Sequence, residues 1–122
     1  MRFKGENMSK DTVDQFQKGR QKLNDLVMQL ASKNIKRFYA LDNQVYSEGA
    51  LPARTKELLG LVASLVLRCD DCIKYHLSQC YQYEISDAEL EEVLAVGLIV
   101  GGSIVIPHLR RAVQFWDDLQ AK

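Results

Sequence analysis

The stretch from about Pro52 to Arg68 places Leu58, Leu59, Leu61, Val62, Leu65, Val66 and Leu67 around nearly the whole circumference of a helix. Such a helix is buried, and together with the later apolar run from Leu90 to Leu98 it carries more apolar surface than a chain of this length can hide, so a homo-oligomer is expected. Strand signals are nearly absent: no long alternation of apolar and polar residues occurs, and 2 prolines and 7 glycines punctuate 122 residues. An all-α fold of about six helices is expected, with this segment as the third. Its partners follow from helical periodicity. From about Lys10 to Ser32, Val13, Phe16, Leu23, Leu26, Val27 and Leu30 predict one buried stripe. A second helix from about Ile35 to Glu48 carries Phe38, Leu41 and Val45, with Gly49 suited to its C-terminal cap.

Pro52 fits the first turn of the third helix. Asp70 and Asp71 open a fourth that runs to about Tyr83, and Ser86 with Glu89 forms a capping-box pattern for a fifth that reaches Gly101 and Gly102. Pro107 starts or kinks the sixth. Ile104, Val105 and Ile106 have β propensity, but four apolar residues without a partner strand do not make a sheet, so Ser103 to Ile106 is read as helical.

Length and an apolar content of 47% suit a single domain over residues 1–122. Sixteen basic residues balance sixteen acidic ones, which leaves no basic footprint for nucleic acid. The uncharged run from Val93 to Pro107 is broken by three glycines and falls short of the roughly 18–20 apolar residues of a membrane span. Met1 to Lys10 is polar and lacks the apolar core of a secretory signal. A cytoplasmic location is expected, with the start at Met1 or Met8.

Three cysteines make a poor disulfide framework in such a chain, and cysteine chemistry is the better reading. Cys69 and Cys72 form C-x-x-C, and His76 follows one turn beyond Cys72. Residues three and four apart share a helix face, so His76 can reach the Cys72 sulfur. A helix N-terminus or a nearby imidazolium lowers a thiol pKa, whereas Asp70 and Asp71 oppose a thiolate beside them. Cys72 with His76 is the candidate activated thiol and Cys69 the resolving partner, although thioredoxin-type logic would favour the first cysteine. The bland reading makes the pair small core residues. Zinc on Cys69, Cys72, His76 and Cys80 is a third, disfavoured because one helix spreads those ligands over about 16 Å. Cys80 falls on the face of Ile73 and Leu77 and reads as packing. His108, with no thiol or acid within a turn, reads as surface or interface polarity.

Glu57 sits in the second turn of the apolar third helix, too deep for the N-terminal dipole to explain, so it needs a partner or a raised pKa. A proton-handling role competes with a salt bridge to Arg54. A hairpin folded at residue 69 would put Glu57 about 18 Å and His76 about 10 Å from the turn, leaving roughly 8 Å to be closed.

Glu57, Cys69, Cys72 and His76 together spell E-x11-C-x2-C-x3-H, which resembles the core motif of the AhpD-like alkylhydroperoxidases within the carboxymuconolactone decarboxylase family, over roughly residues 35–118. The resemblance implies an all-α homotrimer or homohexamer with peroxidase or thiol-disulfide activity and no cofactor. By the same resemblance Cys72 is the peroxide-reducing thiol, Cys69 its disulfide partner, and His76 and Glu57 the proton relay. A hydroperoxide is the implied substrate, and an external thiol the reductant. Asp71 stands where such proteins often carry His or an aromatic residue. Two other functions compete: a decarboxylase-like enzyme acting on a small acidic ring, which would survive loss of both cysteines, and a non-enzymatic helical oligomer whose cysteines respond to oxidation.

Overall fold

The computed structural model describes residues 5–121, those of 5–10 by their backbone alone. The readings made on Met1 to Lys10, a signal segment and the choice of start, lie outside that description. Six α-helices make up the described residues: α1 (Gly5–Leu30), α2 (Lys33–Val45), α3 (Ala53–Val66), α4 (Asp70–Gln82), α5 (Asp87–Gly101) and α6 (Ile106–Leu119), with a 3-10 turn over Ser103–Val105. No strand occurs among them. The β-prone Ile104 and Val105 thus lie in a tightened helical turn that leads into α6.

Helices α3 and α4 form the central hairpin, flanked by α5 against α3 and by α6 against α4, with α1 lying on α6. Leu61, Leu65, Ile73, Leu77, Val105, Ala112 and Phe115 fill the space between them. The start of α5 is tied to both neighbours. Ser86 and Glu89 complete the expected capping box, Glu89 also takes Arg54 of α3 at 2.7 Å, and Asp87 accepts the Trp116 indole N–H of α6 at 2.7 Å.

The α3–α4 turn contains no glycine. Leu67 ends α3, Arg68 takes the left-handed conformation at φ 60°, and the Cys69 N–H returns to the Ser64 carbonyl at 3.1 Å while Arg68 N–H returns to Leu65 at 3.0 Å. This is the Schellman pattern, and it delivers Cys69 directly to the N-cap of α4. The same device, with Glu84 at φ 58° and Ile85 N–H bonded to the Cys80 carbonyl, ends α4.

Two expectations need correction. Gly49 does not cap α2, which ends at Val45 with Tyr46 as its cap, backed by Tyr46 N–H to the Asp42 carbonyl. The α1 stripe is buried at Val13 and half-buried at Phe16, but Leu23, Leu26 and Leu30 are exposed, and α2 buries no residue, leaving Phe38 69% exposed. Helix α3, as expected from its excess of apolar surface, is covered on one side only within the chain: Leu59 and Leu67 face outward, in a groove that α3 shares with Val93, Val96 and Val100 of α5. Periodicity marks a face that avoids water, and within one chain too few elements exist to cover all of these faces.

Candidate active site

Cys69 is the N-cap of α4, and its sulfur accepts the Cys72 N–H at 3.2 Å. The N-cap to N3 spacing brings the two Cα atoms within 5.3 Å, and the pair is joined as a disulfide, inside the range disulfides require. Cys72 is exposed and Cys69 half-buried. Both lie in the first turn of a helix, where the dipole favours a thiolate.

One turn on, His76 turns inward. It is 8% exposed, and its Nδ1 lies 2.8 Å from Oε1 of Glu57, itself 4% exposed. A carboxylate can only accept, so Nδ1–H donates, leaving Nε2 as the basic nitrogen of the neutral ring. The Tyr46 hydroxyl stands 3.5 Å from Nε2. Among the described residues no hydrogen bond links His76 to either sulfur in this disulfide form. Glu57 therefore has the partner its burial demanded, and Arg54 is engaged elsewhere, by Glu89. The 8 Å gap closes because the turn occupies residues 67–69. Measured from the helix ends, Glu57 lies about 14 Å and His76 about 9 Å away, a difference that two long side chains span.

Gly60 and Tyr46 complete the site and were not foreseen. A Cβ at Gly60 would stand 2.6 Å from the Tyr46 hydroxyl and 2.7 Å from His76 Cε1, so only a bare backbone lets both rings lie over α3. Tyr75 meets the other side of His76 edge-on, with centroids 5.2 Å apart, and carries the Arg20 guanidinium 4.0 Å above its own ring. Burial first, and the Glu57 carboxylate second, push the hydroxyls of Tyr46 and Tyr75 above their ordinary pKa. Cys80 is fully buried, and burial pushes its thiol up to about 12. Packing accounts for it, as expected. His108 is not idle surface polarity: its Nδ1 lies 3.0 Å from the Asp70 carboxylate, 38 residues away in sequence and therefore invisible to a one-turn search.

A cleft of about 530 Å³ opens on Cys72 between α1, α2 and α4, walled by Leu23, Phe38, Tyr39 and Tyr75 with Arg20 and Asp71 at its polar edge. That volume suits a small organic molecule. A more apolar groove between α5 and α6 contains neither cysteine nor histidine.

The sequence profile of the carboxymuconolactone decarboxylase family matches residues 34–115. The chain belongs to this family. The matched span holds Glu57, the cysteine pair and His76, the residues on which the AhpD-like resemblance rested. A Thermotoga maritima protein is similar at 56% identity and a TM-score of 0.85, over 87% of this chain and 93% of its own. A further crystal structure of that protein describes it as a carboxymuconolactone decarboxylase family member for which a part in an antioxidative response is suggested. A family member from Legionella pneumophila, at 23% identity, shares the fold with a TM-score of 0.66 over 93% of this chain and 94% of its own. An uncharacterised Cupriavidus necator protein is 34% identical over 74 residues, which are 61% of this chain and 66% of that one.

Proposed function

We propose that this family member is a thiol-dependent hydroperoxide reductase, or more broadly a thiol-disulfide oxidoreductase, in which Cys69 and Cys72 cycle between dithiol and disulfide. One observation carries the reading: a disulfide at the first turn of α4 stands one turn before His76 on the same helix, and His76 is paired in a buried contact with Glu57 of α3. A structural disulfide would need no such pair.

In the reduced protein the Cys72 thiolate attacks an oxygen of the hydroperoxide. An S–O bond forms, the O–O bond breaks, and the departing alkoxide takes a proton to leave as an alcohol. Cys72 becomes a sulfenic acid. The Cys69 thiol then displaces its hydroxyl, giving the disulfide and water, and two equivalents of an external thiol, themselves joined as a disulfide, restore both thiols. His76 accepts the Cys72 proton through Nε2 while Glu57 holds the ring by Nδ1–H and stabilises the imidazolium. The exposed Cys72 opens to the cleft, which supports its role as the attacking sulfur, with Cys69 at the N-cap as its resolving partner.

The same reading assigns the protein to the cytoplasm, where disulfides are cycled rather than kept. No described helix is long and apolar enough to cross a membrane. A homotrimer or homohexamer is proposed as the working form.

The test is a thiol titration before and after hydrogen peroxide, on wild type and Cys72→Ser, with peroxide consumption followed in parallel samples that contain dithiothreitol as the reductant. Two thiols lost per chain with repeated turnover is expected, and abolished consumption in Cys72→Ser. Stoichiometric oxidation without turnover would favour a redox-responsive oligomer. Decarboxylation of a small acidic ring that persists without either cysteine would favour the decarboxylase reading.

A further inference from the structure

Cys69 is followed by Asp70, whose carboxylate is held from α6. Oδ1 accepts from His108 Nδ1 at 3.0 Å and Oδ2 from Arg111 Nε at 3.0 Å. Arg111 Nη2 also lies 3.2 Å from His108 Nδ1, but that nitrogen carries the hydrogen given to Asp70, so the approach is a contact between neighbours. Partial burial works to raise the Asp70 carboxyl, yet the hydrogen bonds and charges of His108 and Arg111 outweigh it and hold it below the usual carboxylate range. Asp70 therefore stays ionised, one residue from Cys69 and two from Cys72.

An uncompensated carboxylate there would oppose a thiolate on either sulfur. We propose that His108 and Arg111 are positioning residues for the redox pair: through Asp70 they fix the first turn of α4 and offset the negative charge beside Cys69 and Cys72. This rests on the reading that the pair cycles between dithiol and disulfide. The other charged groups around the cysteines are Asp71 and the Glu57–His76 pair, Arg68 at the turn, and Arg20 and Asp42 on the cleft walls. Asp70 differs from its neighbour Asp71 in being bonded to a distant helix. A stabilised thiolate stabilises the reduced form, and a disulfide with a stabilised reduced form is more oxidising.

The experiment uses the full chain, with two readouts: the equilibrium of the disulfide with glutathione buffers, and the pH profile of iodoacetamide alkylation of the reduced thiols. Arg111→Gln should move the alkylation profile to higher pH and disfavour the reduced form about tenfold, which is about 30 mV more negative for a two-electron couple. Asp70→Asn removes the opposing charge and should shift both readouts the other way. Arg111→Lys, which retains the charge, should restore most of the wild-type profile. A purely mechanical clamp would move Arg111→Gln and Asp70→Asn in the same direction, and that result, or no shift in either, overturns the proposal. A wild-type pair that resists reduction sinks both this inference and the proposed cycle. Opposite shifts in a protein without peroxide turnover leave the inference standing and remove the peroxidase reading alone.

Discussion

Glu57 gives up nearly all contact with water for a single neighbour, and an acid so placed is costly unless its charge is used. Glu57→Gln should retain the fold and the disulfide, because the amide oxygen can still accept from His76 Nδ1–H. It should slow peroxide reduction by about a hundredfold and move the alkylation profile of the reduced thiols upward, as stopped-flow and alkylation kinetics will show. An unaltered profile would reduce Glu57 to a structural partner. Cys80 provides the internal control. With its thiol pushed up to about 12 by burial, it stays protonated across the working pH range, so peptide mapping after mild oxidation should find Cys69 bonded to Cys72 and Cys80 free, labelled only after denaturation. The nearness of Cys69, Cys72 and His76 was legible in the sequence because their spacing is local, and the need of Glu57 for a buried partner was betrayed by its odd polarity. Tyr46 and the His108–Asp70 pair were not, since a tyrosine at a helix end and a histidine on another helix carry no local mark of what they touch.

At the scale of elements, the α3–α4 hairpin brings the acid to the histidine. Gly60 is the close-approach point: alanine there would gain helix propensity by about 1 kcal/mol, yet its methyl would collide with the Tyr46 hydroxyl and His76. Gly60→Ala should therefore be destabilised by about 1–3 kcal/mol net, in the range of other overpacked cores, and should lose peroxide reduction more steeply than stability. Urea unfolding and turnover measured together will separate the two, and a stabilised, fully active variant would refute the contact. The six helices and the capping box were readable because periodicity and cap residues act within a few positions. The turns after α3 and α4 were placed within about two residues by Asp70 and Ser86, but their left-handed conformation was not foreseen, because Arg68 and Glu84 occupy positions where glycine is the usual signal. Gly49 misled for the converse reason, being a glycine in a bend beyond a helix that had already ended.

Across the described residues, apolar surface is left over at the end of α1 with Leu23, Leu26 and Leu30, along α2, and on the outer face of α3 with Leu59 and Leu67 beside Val96 and Val100 of α5, among other places. Patches of this extent mark interfaces in soluble proteins, and second copies of the chain are the occupants proposed for them. Light scattering at micromolar concentration should give a multiple of the 13.9 kDa protomer. A monomeric mass would refute the assembly. Helix α2 is the element most exposed to that outcome. None of its 13 residues is buried within its own chain, its ties include Lys56 on the Val45 carbonyl at 2.8 Å and the Tyr39 hydroxyl on Asn24 Oδ1 at 3.5 Å, and an isolated helix of that length is marginal in water. Yet Phe38 and Tyr39 on α2 form a wall of the cleft at Cys72. If neighbouring copies are what hold α2 in place, mass action reaches the proposed chemistry: dilution would fray one wall of the cleft at Cys72 while the cysteine pair on the α3–α4 hairpin stayed intact. Activity per chain would then rise with protein concentration, and the protein would in effect serve as its own activating ligand.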